Sequence, residues 1–362
     1  MLNKIITIEF KDINILNHIG MYNICKGFII VMSFLMAYGR PMLNTDINLS
    51  LIQSHLQHKR VEYGARCTPS QLKNIEIANP IESSNCPSRG FWFASMLKYS
   101  SVRPTATIVS VGCNTGDDFV AQVGAFSGNS TYNSKEWVNH LSKDGLTSGP
   151  ACGRNDVIPT PVKLPRPITA YCIEPMSANI KLVQKIHKTM VFDSQSIFVM
   201  QLAMNVFPGM ADFPKGRPGQ ENLGLADGLG NSELVNVSNL DTFIFEHQLN
   251  YIDFLSIDTE GFDGYVIIGM VNTLARHKVR VFEFEYHIHG PWKTMDLSLI
   301  VDLLDVLEYD CFWQGNSNQL WRLTGCWSVE YGLKRTWSNI VCVHRQQSGL
   351  HKDMVGHSQL YM

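Results

Sequence analysis

Apolar residues recur along this chain in an alternating rhythm of short continuous runs and longer stretches at helical spacing. The run ATIVSVG, from Ala106 to Gly112, has the length and β-branched content of a buried strand, and Asp117 to about Phe126 then reads as a helix. A second buried run, ITAYCIEP, closes on Glu174-Pro175, and Ser177 to His187 carries apolar residues at helical spacing. SIFVMQLAM, ELVNVSNLDTFI, IDFLSIDTEGFDG leading into YVIIGMVNTLARH, and VRVFEFEYH continue the pattern. LSLIVDLLDVLEYDCFW and late strands around LWRL and NIVCVHR complete it, while Pro208 to Asn231 reads as a turn-rich connection. Strand then helix, repeated, predicts an α/β fold with a mostly parallel sheet covered by helices on both faces.

Outside this periodic region the pattern changes. Phe28 to Tyr38, FIIVMSFLMAY, is strongly apolar but too short for a comfortable bilayer span, so residues 1–41 are expected to be a secretory signal or a short membrane anchor. Residues 42–104 are polar and mixed, with an aromatic helix-like stretch FWFASMLKYS, and are read as a capping segment. The main domain is expected at 105–345, with an insertion at 128–167 rich in Ser, Asn, Gly and Pro, and 346–362 is expected to be a flexible tail.

Composition narrows the function. The chain has 362 residues, 30 Lys+Arg against 32 Asp+Glu and a formal charge of -2. A nucleic-acid partner would call for a basic face, and none is evident. The 9 Cys include no C-x-x-C pair and no zinc-type spacing with His. In an oxidising compartment Cys67 and Cys86 would make a local disulfide, and the sequons at Asn48, Asn129 and Asn236 would become usable, which favours the secretory pathway or membrane anchoring through 28–38 over the cytoplasm.

In a parallel sheet, ligands bind beyond the carboxyl ends of the strands, so chemistry is sought just after each apolar run. After the first run, Gly112 and Gly116 permit a tight turn close to a ligand, and the helix that follows offers free N–H groups. Asn114 and Asp117 stand where a dinucleotide fingerprint needs glycine, and no G-K-[ST] is present. Asp117 suits a cationic ligand such as the sulfonium and amino group of S-adenosylmethionine, whereas a nicotinamide cofactor lacks its glycines. After the second run, Glu174 could accept both hydroxyls of a ribose.

Taken together, VSVGCNTGDDF, IDFLSIDTEGFDGYVIIG with LDTF before it, and VFEFEYHIHGPW make the chain resemble the FkbM family of S-adenosylmethionine-dependent methyltransferases; PGQENLGL and RLTGCW add to the likeness. The resemblance spans about residues 105 to 345. It implies a class I Rossmann-like methyltransferase fold and methyl transfer, usually to a hydroxyl oxygen of a sugar or polyketide. It also implies that Gly112, Asn114, Gly116 and Asp117 hold the methionine part of the cofactor, Glu174 its ribose, and Asp258 the region near the methyl group. Ser256 and Asn205 depart from the family, which commonly has Lys and an acid there.

Methyl transfer to oxygen needs a base that takes the acceptor's proton. His287 is the first candidate, with Asp258 and Glu260 from the neighbouring strand end. Asp258, Glu260, His287 and His289 could alternatively hold a divalent ion, but no metal is assigned. Tyr286, Trp292, Trp313 and Trp327 offer faces for sugar rings, and Glu221 and Asn222 a polar lid. The expected acceptor is a small molecule or glycan bearing hydroxyls. The contrasting expectation is a catalytically silent glycan-binding or scaffold protein, which needs none of these cofactor-site residues.

Overall fold

The computed structural model describes residues 67–78, 90–100, 103–129, 131–146, 166–190, 196–225, 230–315, 318–335 and 337–360. The apolar run at 28–38, Asn48, Cys86 and insertion residues 147–165 lie outside them.

In chain order the first elements are α1 (Pro69–Ala78), α2 (Gly90–Ser100), β1 (Ala106–Val111), α3 (Asp117–Ser127), α4 (Ser134–Lys143), β2 (Ile168–Glu174), α5 (Ser177–Thr189) and β3 (Ile197–Gln201). Next come β4 (Ala203–Met204), β5 (Gly209–Pro214), β6 (Ser232–Ser238), α6 (Leu240–Glu246), β7 (Phe254–Ile257), α7 (Asp263–Ile268), α8 (Val271–Ala275) and β8 (Val281–Tyr286). The chain closes with α9 (Leu297–Val306), β9 (Tyr309–Gln314), β10 (Leu320–Arg322), α10 (Val329–Leu333), β11 (Ser338–His344) and α11 (Ser348–Ser358).

The main sheet runs β10-β9-β11-β8-β7-β1-β2-β3. β3, β2, β1, β7 and β8 are parallel, and β11 is antiparallel to both β8 and β9. From β1 the chain builds outward through β2 and β3, then returns to β1's other edge with β7 and β8. The strand order therefore reverses at β1, which opens a crevice at the carboxyl ends on either side of it.

The near-continuous apolar strands follow from burial on both faces. Val109, Val111, Ile173, Leu255, Ile257 and Phe284 face one core, shared with α6 to α9. Ile108, Ala170, Cys172, Phe254 and Val281 face the other, shared with α2, α3, α4, α5 and α11. This is the expected α/β, class I Rossmann-like arrangement. A small sheet, β4-β6-β5, buries Ala203, Phe213, Val235 and Val237 around Met176 beside the main sheet's carboxyl edge.

Three expectations are corrected. The tail is no frayed end: 348–358 form α11, which seats Leu350 and Met354 in the core while Phe91 of α2 stacks on His357. Two buried apolar side chains, with Val355 packed partly buried beside them, fix this otherwise polar helix, which is why its sequence reads as tail. Cys67 pairs with Cys326 rather than Cys86, because the start of α1 lies against the loop after β10, where Cys67 N–H donates to Gly325 O. The turn-rich stretch contains β5, paired with β6 along its whole length.

Candidate active site

Register builds the site. The last paired residues of the central strands are Ile173 beside Val111, Val111 beside Ile257, and Ile257 beside Phe284. One step further on, Glu174, Gly112, Asp258 and Glu285 stand in a row across four parallel strands. Side chains alternate along a strand, so this row belongs to the face carrying α3 and α5. Three acids and one glycine thus meet at the reversal point, although they are up to 173 residues apart in sequence.

At Gly112 a side chain is excluded: φ is +78°, and a Cβ would fall 1.6 Å from Asp258 O. Asn114 (φ 47°) and Gly116 (φ 80°) also take left-handed conformations, and the turn closes on itself with Gly116 N–H bonded to Cys113 O at 2.8 Å. Gly112 and Cys113 donate N–H bonds to Ile173 O at 2.8 and 3.2 Å. Asn114 N–H reaches Glu174 Oε2 at 3.0 Å, and Glu174 Oε1 accepts from Met176 N–H at 2.9 Å. Each carboxylate oxygen keeps a further lone pair for a ligand hydroxyl. Burial pushes Glu174 up to about 7, against the pull of these N–H bonds.

An open cleft lies at the carboxyl ends of β1, β2 and β7, beside this row. Gly112, Asn114, Glu174, Asp258 and Glu260 form its polar wall, and Met176, Leu202, Met204, Phe213, Leu223 and Phe262 its apolar one. Residues 220–225 lie along the cleft's edge. Asn179 joins this loop to the turn, donating to Asn114 Oδ1 at 3.0 Å and accepting from Gly219 N–H at 2.9 Å. Asn222 N–H binds Glu260 Oε1 at 2.8 Å, while Gln220, Leu223 and Leu225 of the same loop line the cleft. Burial first, then Glu260 and Asp117, raise Glu221.

The far side of the row is a nest of acids. Asp258 is exposed to the cleft; desolvation by the protein atoms packed around its carboxyl, then the charges of Glu285, Glu260 and Asp263, hold it above the ordinary carboxylate range. Glu285, hydrogen-bonded to Asp258 and to Trp337 Nε1–H, is pushed up to about 8, again by burial first. The two carboxyls titrate as a pair. Asp263 is a structural acid, fully buried, accepting N–H bonds from Gly261 at 3.2 Å and Glu285 at 3.3 Å.

Several expected site residues stand elsewhere. His287 is 3% exposed and lies behind Glu285, off the cleft wall. Its Nδ1 accepts His289 N–H at 2.9 Å, so the neutral ring carries its proton on Nε2, 2.9 Å from Glu285 Oε2. That tautomer leaves Nε2 no lone pair with which to take a substrate proton, and burial lowers the ring's pKa. Gly116 and Asp117 are also off the wall: a Cβ at Gly116 would meet the Trp137 ring at 3.0 Å, and Asp117 accepts from Thr115 Oγ at 3.1 Å. Tyr286, Trp292 and Trp313 are buried in the core, and Trp327 packs against it, so they offer no sugar platform. Asn205 turns onto its neighbour, with Val206 N–H donating to its Oδ1, while Ala203 and Met204 do line the cleft.

Glu285 stands at a strand end that the sequence marks without giving it a role, and Asn179 was missing from the sequence reading. Asn179, inside a helical pattern, had no visible signal.

Residues 198–311 match the family model described as the Methyltransferase FkbM domain, in agreement with the sequence resemblance. No curated protein matches the chain. Similar solved structures include methyltransferase FkbM from Methylobacillus flagellatus KT, 12% identical with a TM-score of 0.37, where the match covers 82% of this chain and 58% of that one. Another is "a possilbe exported protein" from Bordetella parapertussis, 7% identical with a TM-score of 0.32, covering 90% of this chain and 96% of that one.

Proposed function

We propose that this chain is an S-adenosylmethionine-dependent methyltransferase that methylates a hydroxyl oxygen of a carbohydrate or similar polyol. The observation that carries the reading is the row Glu174, Gly112, Asp258, Glu285 at the strand reversal, within a chain whose residues 198–311 match a methyltransferase domain. The donor set fits the cofactor. The cleft's carboxyl groups, once ionised, suit a sulfonium and an ammonium group, and the apolar wall from Met176 to Phe262 suits a purine.

When bound, the cofactor supplies a methyl group already activated on positively charged sulfur. The protein's own work is then positioning and proton removal. Glu174 accepts the ribose hydroxyls, and the amino-acid portion lies between the 112–114 turn and Asp258, the turn's own N–H groups at 112, 113, 114 and 116 being held by protein acceptors. The Asp258–Glu285 pair replaces His287 as the base: Asp258 faces the cleft, takes the acceptor's hydroxyl proton and shares it with Glu285. A pair poised near neutrality is suited to this, since a base works best with a pKa close to the working pH. A cation in the cleft favours its ionised form, so ligand binding itself primes the base.

The same reading places the enzyme in an oxidising compartment. Cys67–Cys326, Cys113–Cys172 and Cys311–Cys342 pair every cysteine among the described residues, and disulfides persist in secretory and extracellular settings. Asn129 and Asn236 of two sequons are exposed. No helix among the described residues is long and apolar enough to cross a membrane.

Calorimetric titration of the full chain with S-adenosylhomocysteine, with NADH in parallel, tests the reading. Equimolar binding of the first and none of the second is expected, followed by methyl transfer in a screen of hydroxylated glycans. Folded protein that binds no S-adenosylhomocysteine would sink the proposal.

A further inference from the structure

One covalent bond ties the two walls of the cofactor side together. Cys113 stands in the glycine turn between Gly112 and Asn114, and Cys172 lies on β2 two residues before Glu174. Cys172 and Glu174 share a face of β2 by strand alternation, and Cys113 packs in the same core as Cys172. Gly112, Asn114 and Glu174 all line the cleft, so each end of the disulfide sits within two residues of a lining group.

The other ties between turn and strand are backbone bonds from Gly112 and Cys113 to Ile173 O and the Asn114 N–H bond to Glu174. The disulfide also closes a sequence excursion of 59 residues that contains α3, α4 and the insertion. The excursion leans on the turn itself, because Trp137 of α4 donates its indole N–H to Thr115 O at 2.9 Å. α4 is thus coupled to the turn, and the covalent bond at Cys113 fixes the point where turn and β2 meet.

We propose that the Cys113–Cys172 disulfide is a positioning element for cofactor binding, holding the glycine turn against the ribose-binding end of β2, so that reduction of this bond weakens the cofactor site. The inference rests on the methyltransferase reading. Reduction by a dithiol breaks the Sγ–Sγ bond; each sulfur gains one electron and one proton, and the dithiol closes to its own disulfide. The turn then keeps only its hydrogen bonds, and methyl transfer is confined to oxidising compartments by the enzyme's own cradle.

The contrasting bond is Cys311–Cys342, which joins β9 to β11 in the antiparallel wing away from the cleft. Removing either disulfide lowers thermal stability, but only the first should change cofactor affinity. The test compares S-adenosylhomocysteine binding by the wild type, Cys113→Ala/Cys172→Ala and Cys311→Ala/Cys342→Ala. A loss of about tenfold or more is expected in the first variant alone, the size of one charge-assisted hydrogen bond, with acceptor KM unchanged.

Wild-type protein treated with a dithiol, its thiols at 113 and 172 mapped by alkylation and mass spectrometry, gives the same comparison without a variant. Affinity should fall on reduction and return on reoxidation. Equal affinity of oxidised and reduced wild type, or equal losses in the two variants, overturns the inference while leaving the methyltransferase reading intact. A wild type that binds no S-adenosylhomocysteine overturns both.

Discussion

The two sides of the cleft use the same residue type in opposite ways. On the β1–β2 side a single acid, Glu174, is surrounded by donors: both oxygens accept backbone N–H bonds and the turn beside it is held by further N–H groups. On the β7–β8 side Asp258, Glu260, Asp263 and Glu285 crowd one another, and the nearest basic ring, His287, is buried and lowered in pKa. The first environment makes a carboxylate a rigid acceptor. The second makes a carboxyl pair a proton store, because neighbouring like charges cannot all ionise. Binding and proton transfer are thereby divided between the two sides of Gly112.

That division can be broken at its hinge first. Gly112→Val should have the largest effect, roughly 3 kcal/mol or more of destabilisation or outright failure to fold, since its Cβ would collide with Asp258 O. Urea denaturation followed by circular dichroism measures this. Asp258→Asn should leave the fold intact and lower kcat by about 10²- to 10⁴-fold, the worth of a general base, with acceptor KM nearly unchanged. A kcat within threefold or so of wild type would remove Asp258 from the chemistry.

Glu174→Gln should separate the sides in the other sense. It should weaken S-adenosylhomocysteine binding by about ten- to a hundredfold, the range of a hydrogen bond to a charged group, while acceptor KM stays put. The smallest effect expected is on pH dependence. Glu285 rises from 4.5 to about 8 on folding, so between those values it stays protonated in the folded chain and ionises in the unfolded one. Its contribution is complete below pH 4.5 and is lost as pH rises through about 8. Glu285→Gln should therefore gain stability relative to wild type toward pH 8.5, on the order of 2 kcal/mol. Melting curves of both proteins across that window check the sign, and taking the difference cancels the opposite acid-side loss from buried His344, which is lowered to about 3.

Much of the fold was legible in the chain because the signals are local. ATIVSVG, ITAYCIEP and VRVFEFEYH announce strands by their own composition, and the residues after them sit at strand ends whatever the rest of the protein does. Gly112, Glu174 and Asp258 were accessible for that reason, and the glycine turn followed from its spacing. Helix α11 and strand β5 were hidden, since two anchors in one and weak alternation in the other leave little local signal.

What only the tertiary structure decided is adjacency. Reversal of strand order at β1 sets Glu174 on one side of Gly112 and Asp258 and Glu285 on the other. Adjacency also chose Cys326 over Cys86 for Cys67, and turned His287 from a candidate base into a buried ring behind Glu285. The physical reason is range. A strand's periodicity depends on residues within a few positions, whereas a disulfide, a pKa or an imidazole tautomer depends on groups brought close by chain crossovers, and a carboxyl's proton affinity is set by whichever charges and donors the fold places beside it.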